Sequence, residues 1–145
     1  MKTLTLSKCL FLLFMAVSLV SCDSKDNKRI RAEVMTKITD DVVVVLDLAL
    51  NSVTAGQGAN IANMILSKEG KQKMIKDNLL PHITQELDKV KDTKKLEDLN
   101  ANKVKRYAFA LDALVKNTDK IKKNLSGFTL KLYDGILDYL KKNNS

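Results

Sequence analysis

Ile30, Val34, Ile38, Val42, Val45, Ala49 and Val53 recur at steps of three and four residues. That spacing marks one face of a helix, and no Gly or Pro interrupts residues 28–53. It commits this stretch to a long amphipathic helix that needs apolar partners elsewhere in the chain. The run Val42-Val43-Val44-Val45 pulls the other way, because β-branched side chains favour strands. The helical period continues on both sides of it, and Leu46, Ala49 and Leu50 are good helix formers. Helix is therefore expected throughout, with the valine run, apolar on most sides, its most buried part.

Partners of the same kind follow. Thr54-Ala55-Gly56-Gln57-Gly58 is the clearest break. Its two glycines make no phosphate loop, because no Gly-Lys-Ser/Thr follows them. A short helix is expected over 59–67, with Ile61, Met64, Ile65 and Leu66 apolar and Gly70 as a stop. Met74, Ile75, Leu79 and Leu80 lead to Pro81, and Ile83, Leu87 and Val90 follow it. Residues 71–90 thus read as one kinked helix or two helices meeting at Pro81. Residues 89–95 (KVKDTKK) form a connection in which Asp92 or Thr93 caps the next helix. The inner face of that helix reads Leu99, Val104, Tyr107, Leu111, Leu114 and Val115. A break is expected at 117–119, capped by Thr118 or Asp119. Ile121, Leu125, Phe128, Leu132, Ile136 and Leu140 then define a last helix, which Ser126-Gly127 and Gly135 bend or let pack closely. No segment alternates as a strand does. The expected fold is all-α, an antiparallel bundle of four to six helices over residues 30–145.

The amino end obeys a different rule. Lys2 and Lys8 precede the apolar run CLFLLFMAVSLV at 9–20, and the polar run 23–29 follows at once. The apolar run matches a secretory signal in length and falls short of the roughly 20 residues that a membrane span needs. At its end, Leu19-Val20-Ser21-Cys22 resembles the lipobox of bacterial lipoproteins. The resemblance implies cleavage between Ser21 and Cys22, a diacylglyceryl thioether on Cys22 and acylation of the new amino terminus. Residues 1–21 would be removed, and 22–29 would form a lipidated tether to the membrane. Two or more acyl chains anchor stably where one does not.

No residue pattern suggests catalysis. Beyond residue 21, Cys22 is the sole cysteine, so no internal disulfide forms. His82 is the one histidine and has no ligand spacing around it for zinc, so it reads as a surface or capping residue. No Gly-x-Ser-x-Gly nucleophile motif occurs. Asp40 and Asp41 point in different directions on a helix, while Asp134 and Asp138 share one face and read as solvated acids. The chain is therefore read as no enzyme and as needing no cofactor or metal. It carries 25 Lys and Arg against 17 Asp and Glu, and lacks Trp. Nucleic-acid binding is not expected, because no basic stretch is interleaved with stacking aromatics. Two lysine clusters are candidates for a polyanion: Lys89, Lys91, Lys94 and Lys95, and then Lys120, Lys122 and Lys123.

The lipobox, the polar tether and Lys/Asn-rich helical stretches such as 116–124 together resemble the small helical surface lipoproteins of Borrelia-type spirochaetes. That resemblance implies outer-membrane display and binding of a host protein or glycosaminoglycan, in adhesion or immune evasion. The alternative is a structural or inhibitory lipoprotein that faces the periplasm and binds a bacterial partner. Asp23, directly after Cys22, favours it, because in enteric bacteria an acid there retains a lipoprotein at the inner membrane.

Overall fold

Ser24 starts the first helix by accepting the Asn27 N–H at 3.1 Å, and α1 spans Lys25–Val53. The structure is a computed structural model, and it describes residues 24–55 and 64–144. The signal region and Cys22 lie outside the described residues, as do 56–63. On α1 the expected stripe is found: Ile30, Val34, Ile38, Val42, Val45 and Ala49 are buried, and Val53 is half-buried.

Two expectations for this helix are corrected. Residues 25–29, read as tether, are helical, because Ser24 supplies a cap and Asn27 and Ile30 already face the core. The valine run is not buried all round: Val43 and Val44 remain 41% and 48% exposed. α1 keeps one face to solvent along this stretch, so only Val42 and Val45 point inward. None of the described helices is long and apolar enough to cross a membrane.

The break after Val53 begins as expected. The Thr54 hydroxyl donates to the Leu50 carbonyl at 2.9 Å, and Ala55 adopts φ +52°. The break continues into residues that are not described, as does most of the short helix expected over 59–67. Of that helix's apolar side chains, Met64 and Ile65 are exposed and Leu66 is buried. Ser67 then caps α2 (Lys68–Lys73) by accepting the Gly70 N–H at 3.1 Å. Gly70 thus lies inside a helix rather than stopping one.

Around Pro81 the chain takes a third course. α2 passes into a π-helical turn, Met74–Leu79, and that turn passes into α3 (Leu80–Asp88). The Leu80 N–H bonds back five residues to the Ile75 carbonyl. Proline has no N–H and crowds the preceding turn, so a wider turn just before it lets the helical path continue. The apolar pattern fits this course. Ile75, Leu79, Ile83 and Leu87 recur at steps of four, which drift round an α-helix of 3.6 residues per turn. The π turn takes up that drift, and all four are buried.

Asp92 caps α4 (Thr93–Ala101), as one of the two expected residues. Asn102 then leaves the helix at φ −127° and caps α5 (Lys103–Lys116) through the Lys105 N–H. That break resets the helical phase, so Val104 is 41% exposed rather than inward, and Val115 is exposed as well. The last apolar series is divided likewise, into α6 (Thr118–Lys123) and α7 (Phe128–Lys142). Gly127 between them sits at φ +54°, ψ −119°, a conformation essentially open only to glycine. Thr118 caps nothing: its hydroxyl donates to the Leu114 carbonyl at 3.0 Å, and Asn117 ahead of it makes no side-chain cap.

The result is an all-α bundle built on α1, which packs against α3, α4, α5 and α7. α3 descends antiparallel to α1, since Thr84 meets Met35 and Leu87 meets Arg31. α4 turns back and follows α1 in its own direction, with Thr93 at Asn27 and Asn100 at Glu33. α7 lies close on α1 where Gly135 faces Ala49 and Val53. A Cβ at Gly135 would lie 3.1 Å from a Val53 methyl, so this glycine serves close packing.

Candidate functional site

Two buried polar side chains of α1 build the corner between α3 and α4. Arg31, 8% exposed, donates to the Leu87 carbonyl at 3.3 Å and to the Val90 carbonyl at 2.7 Å. Leu87 is in the last turn of α3, whose dipole favours a cation, and Val90 lies two residues past its end. Asn27 donates its amide to the Lys91 carbonyl at 3.0 Å and accepts the Thr93 hydroxyl at 2.6 Å. The connection that read as a plain charged loop is thus clamped to the first turns of α1. Arg106 does the same for α4: it donates to the Leu99 and Asn100 carbonyls and pairs with Asp41 at 2.7 Å.

Beside this corner two grooves meet at Phe109, a half-buried ring on α5. One, of about 470 Å³, runs between the end of α3 and α5 and is lined by Glu86, Lys89, Lys95, Asp112 and Lys116 among others. The other, of about 530 Å³, runs between α4 and α5 past Leu99, Lys105, Ala108 and Leu111. Both are bounded by Lys95, Phe109 and Asp112, and the Lys95 ammonium lies 6.0 Å from the ring centre of Phe109. Glu86 accepts from Lys89 at 3.2 Å and from Lys116 at 3.3 Å. The Lys89 bond first, and Lys116 after it, hold the Glu86 carboxyl below the usual glutamate range. The groove wall therefore alternates in sign and carries an apolar centre.

The predicted site residues divide. Leu19, Val20, Ser21 and Cys22 lie outside the described residues. Lys89, Lys91, Lys94 and Lys95 come together at the clamped corner, all exposed. Lys120, Lys122 and Lys123 sit on a different element, α6, where Lys122 pairs with Asp134 of α7 at 3.4 Å. Asp138 likewise meets a lysine, Lys142, at 3.7 Å. His82 is half-buried and caps nothing, and its Nδ1 is buried with no hydrogen-bond partner among the described residues. Among the described residues, no three His, Cys, Asp or Glu side chains group to hold a metal ion.

Sequence reasoning missed Asn27, Arg31, Glu86 and Phe109. For the first two a signal was present. Asn27 and Arg31 are four apart and flank Ile30 on the stripe that continues through Val34, so they are polar side chains at positions that must be buried. For Glu86 the signal was its three-residue spacing to Lys89 on one helix. Phe109 carried no signal, because its role depends on which helices flank it. No protein-family model, curated protein or solved structure matches this chain.

Proposed function

We propose that this chain is a lipid-anchored protein of the bacterial cell envelope, displayed at the outer surface, whose α3–α5 face binds a macromolecular partner. The supporting observation is the pair of grooves meeting at Phe109, set on a corner that Asn27 and Arg31 tie to the anchored end of the chain. Their mixed charge and apolar centre suit a segment of a host or environmental protein. They suit a sulfated polysaccharide less well, because Glu86, Asp92 and Asp112 interrupt the lysines.

Protease shaving of intact cells tests the display. Digestion of the domain before the envelope is permeabilised is expected, and protection until then overturns it. Protection would favour the second reading, a periplasm-facing lipoprotein binding a bacterial partner, which Asp23 after Cys22 supports. For the binding face, Phe109→Ala is expected to abolish capture of the partner that the unaltered domain retains. Capture left intact by Phe109→Ala moves the site elsewhere.

A further inference from the structure

We infer that the α3–α4 corner is the membrane-facing end of the domain, and that its lysines bind the anionic phospholipid headgroups around the anchor. This rests on the reading of Cys22 as lipidated. Only Asp23 separates Cys22 from Ser24, the cap of α1, and two residue steps reach at most about 7 Å. The first turn of α1 is therefore held at the headgroup layer, within the Debye length of about 8 Å at physiological ionic strength. The corner cannot move away from it, because Asn27 holds Lys91 and Thr93, and Arg31 holds Leu87 and Val90.

The charge at this end suits an anionic surface. Lys25, Lys28 and Arg29 of α1 are exposed beside Lys89, Lys91, Lys94 and Lys95. The acids at this end are Asp23, next to the anchor, and Asp26, Asp88 and Asp92, of which Asp92 is engaged in capping α4. Arg29 and Lys89 pair with Glu33 and Glu86, whereas Lys25, Lys28 and Lys94 meet no carboxylate among the described residues. A polybasic patch next to a lipid anchor adds a second attachment, one that salt weakens. It also holds the domain upright. Lys89 and Lys95 line the α3–α5 groove too, so headgroups and a partner compete for them, while the α4–α5 groove past Leu99, Lys105 and Leu111 shares only Lys95 with the patch. The lysines predicted for a soluble polyanion thereby acquire a different, membrane-bound one.

The test uses the full lipidated chain in vesicles of phosphatidylcholine with or without phosphatidylglycerol. A fluorophore is placed through Lys94→Cys or, about 25 Å along α1 from Asn27, through Val44→Cys, and a headgroup-bound quencher reads proximity. Quenching at position 94 is expected to exceed that at 44 several-fold in phosphatidylglycerol vesicles. It is expected to fall with added salt and on charge reversal by Lys89→Glu, Lys91→Glu and Lys95→Glu together. Equal quenching at both positions would mean the domain lies on its side, which overturns the inference. So would quenching at 94 that is indifferent to phosphatidylglycerol and salt. A chain that takes up label without an introduced cysteine has a free Cys22 or retains Cys9 in an uncleaved signal, either of which fails the processed anchor and not the patch. In that case salt-sensitive flotation of the unlipidated chain with phosphatidylglycerol vesicles sustains the patch, and its absence overturns it.

Discussion

At the residue scale, buried polar side chains carry more of this fold than surface ion pairs do. Arg31 and Arg29 are two residues apart and contrast directly. Arg29 is an exposed partner of Glu33 at 2.9 Å, whereas Arg31 is buried and meets the open end of α3. Replacing Arg31 with Ala takes the guanidinium donor from the Val90 carbonyl, while the Leu87 carbonyl keeps the Val90 N–H, and is expected to cost about 3 kcal/mol in urea unfolding. Arg29→Ala is expected to cost less than about 1 kcal/mol. Tyr133 is a second case. It is fully buried, and its hydroxyl lies 3.0 Å from the Leu114 carbonyl and 2.9 Å from Thr118. Burial above all raises its pKa. The unfolded chain therefore loses this proton first as pH rises, and stability falls from about pH 10 toward the higher folded value. Tyr133→Phe is expected to cost about 1 kcal/mol at neutral pH and to reduce that alkaline loss, read by thermal unfolding across pH.

At the element scale, the valine run separates propensity from packing. Four consecutive β-branched residues are held in a helix because the stripe on either side of them is packed. Only Val42 and Val45 share that packing, so the four are not equivalent. Val45→Ala is expected to cost about 2 kcal/mol, and Val44→Ala to stay within about 0.5 kcal/mol. The π turn before Pro81 belongs to the same scale. The sequence shows that an ordinary α-helix cannot pass Pro81 unchanged. It does not show which remedy the chain adopts, since a kink, a break and a wider turn all satisfy the local chemistry. The step-of-four spacing of Ile75, Leu79, Ile83 and Leu87 favours the wider turn once both sides must face one core.

At the scale of the whole molecule, the acids that tie separate helices make stability depend on pH from the acidic side too. Glu33 accepts from Asn100 across α1 and α4, and Glu86 accepts from Lys116 across α3 and α5. The Asn100 bond and then Arg29 lower the pKa of Glu33, while Lys89 and then Lys116 lower that of Glu86. Their contribution is present above the ordinary glutamate range and is lost as pH falls through the lower folded values. Glu86→Gln is expected to flatten the acid limb of a thermal-unfolding profile, and an unchanged limb would remove Glu86 from this account.

By itself the sequence determined what depends on neighbours along the chain. The all-α class, the α1 stripe, the break at Thr54, a cap at Asp92 or Thr93 and the lipobox-like end at Cys22 are all legible within a few residues. Helical period, capping and signal composition are local properties, so one sequence suffices to read them. Where the phase reset at Asn102 and Gly127 intervened, the same reading ran one helix into the next and placed Val104 inward. Only the tertiary structure decided the rest. Asn27 meets Lys91 and Thr93, and Arg31 meets Leu87 and Val90, across more than fifty residues of chain. The sequence assigned Asn27 to a tether and placed Arg31 on the first helix with no partner. They become the clamp of the molecule because folding buries them, and a buried polar group must find its partner wherever the chain returns.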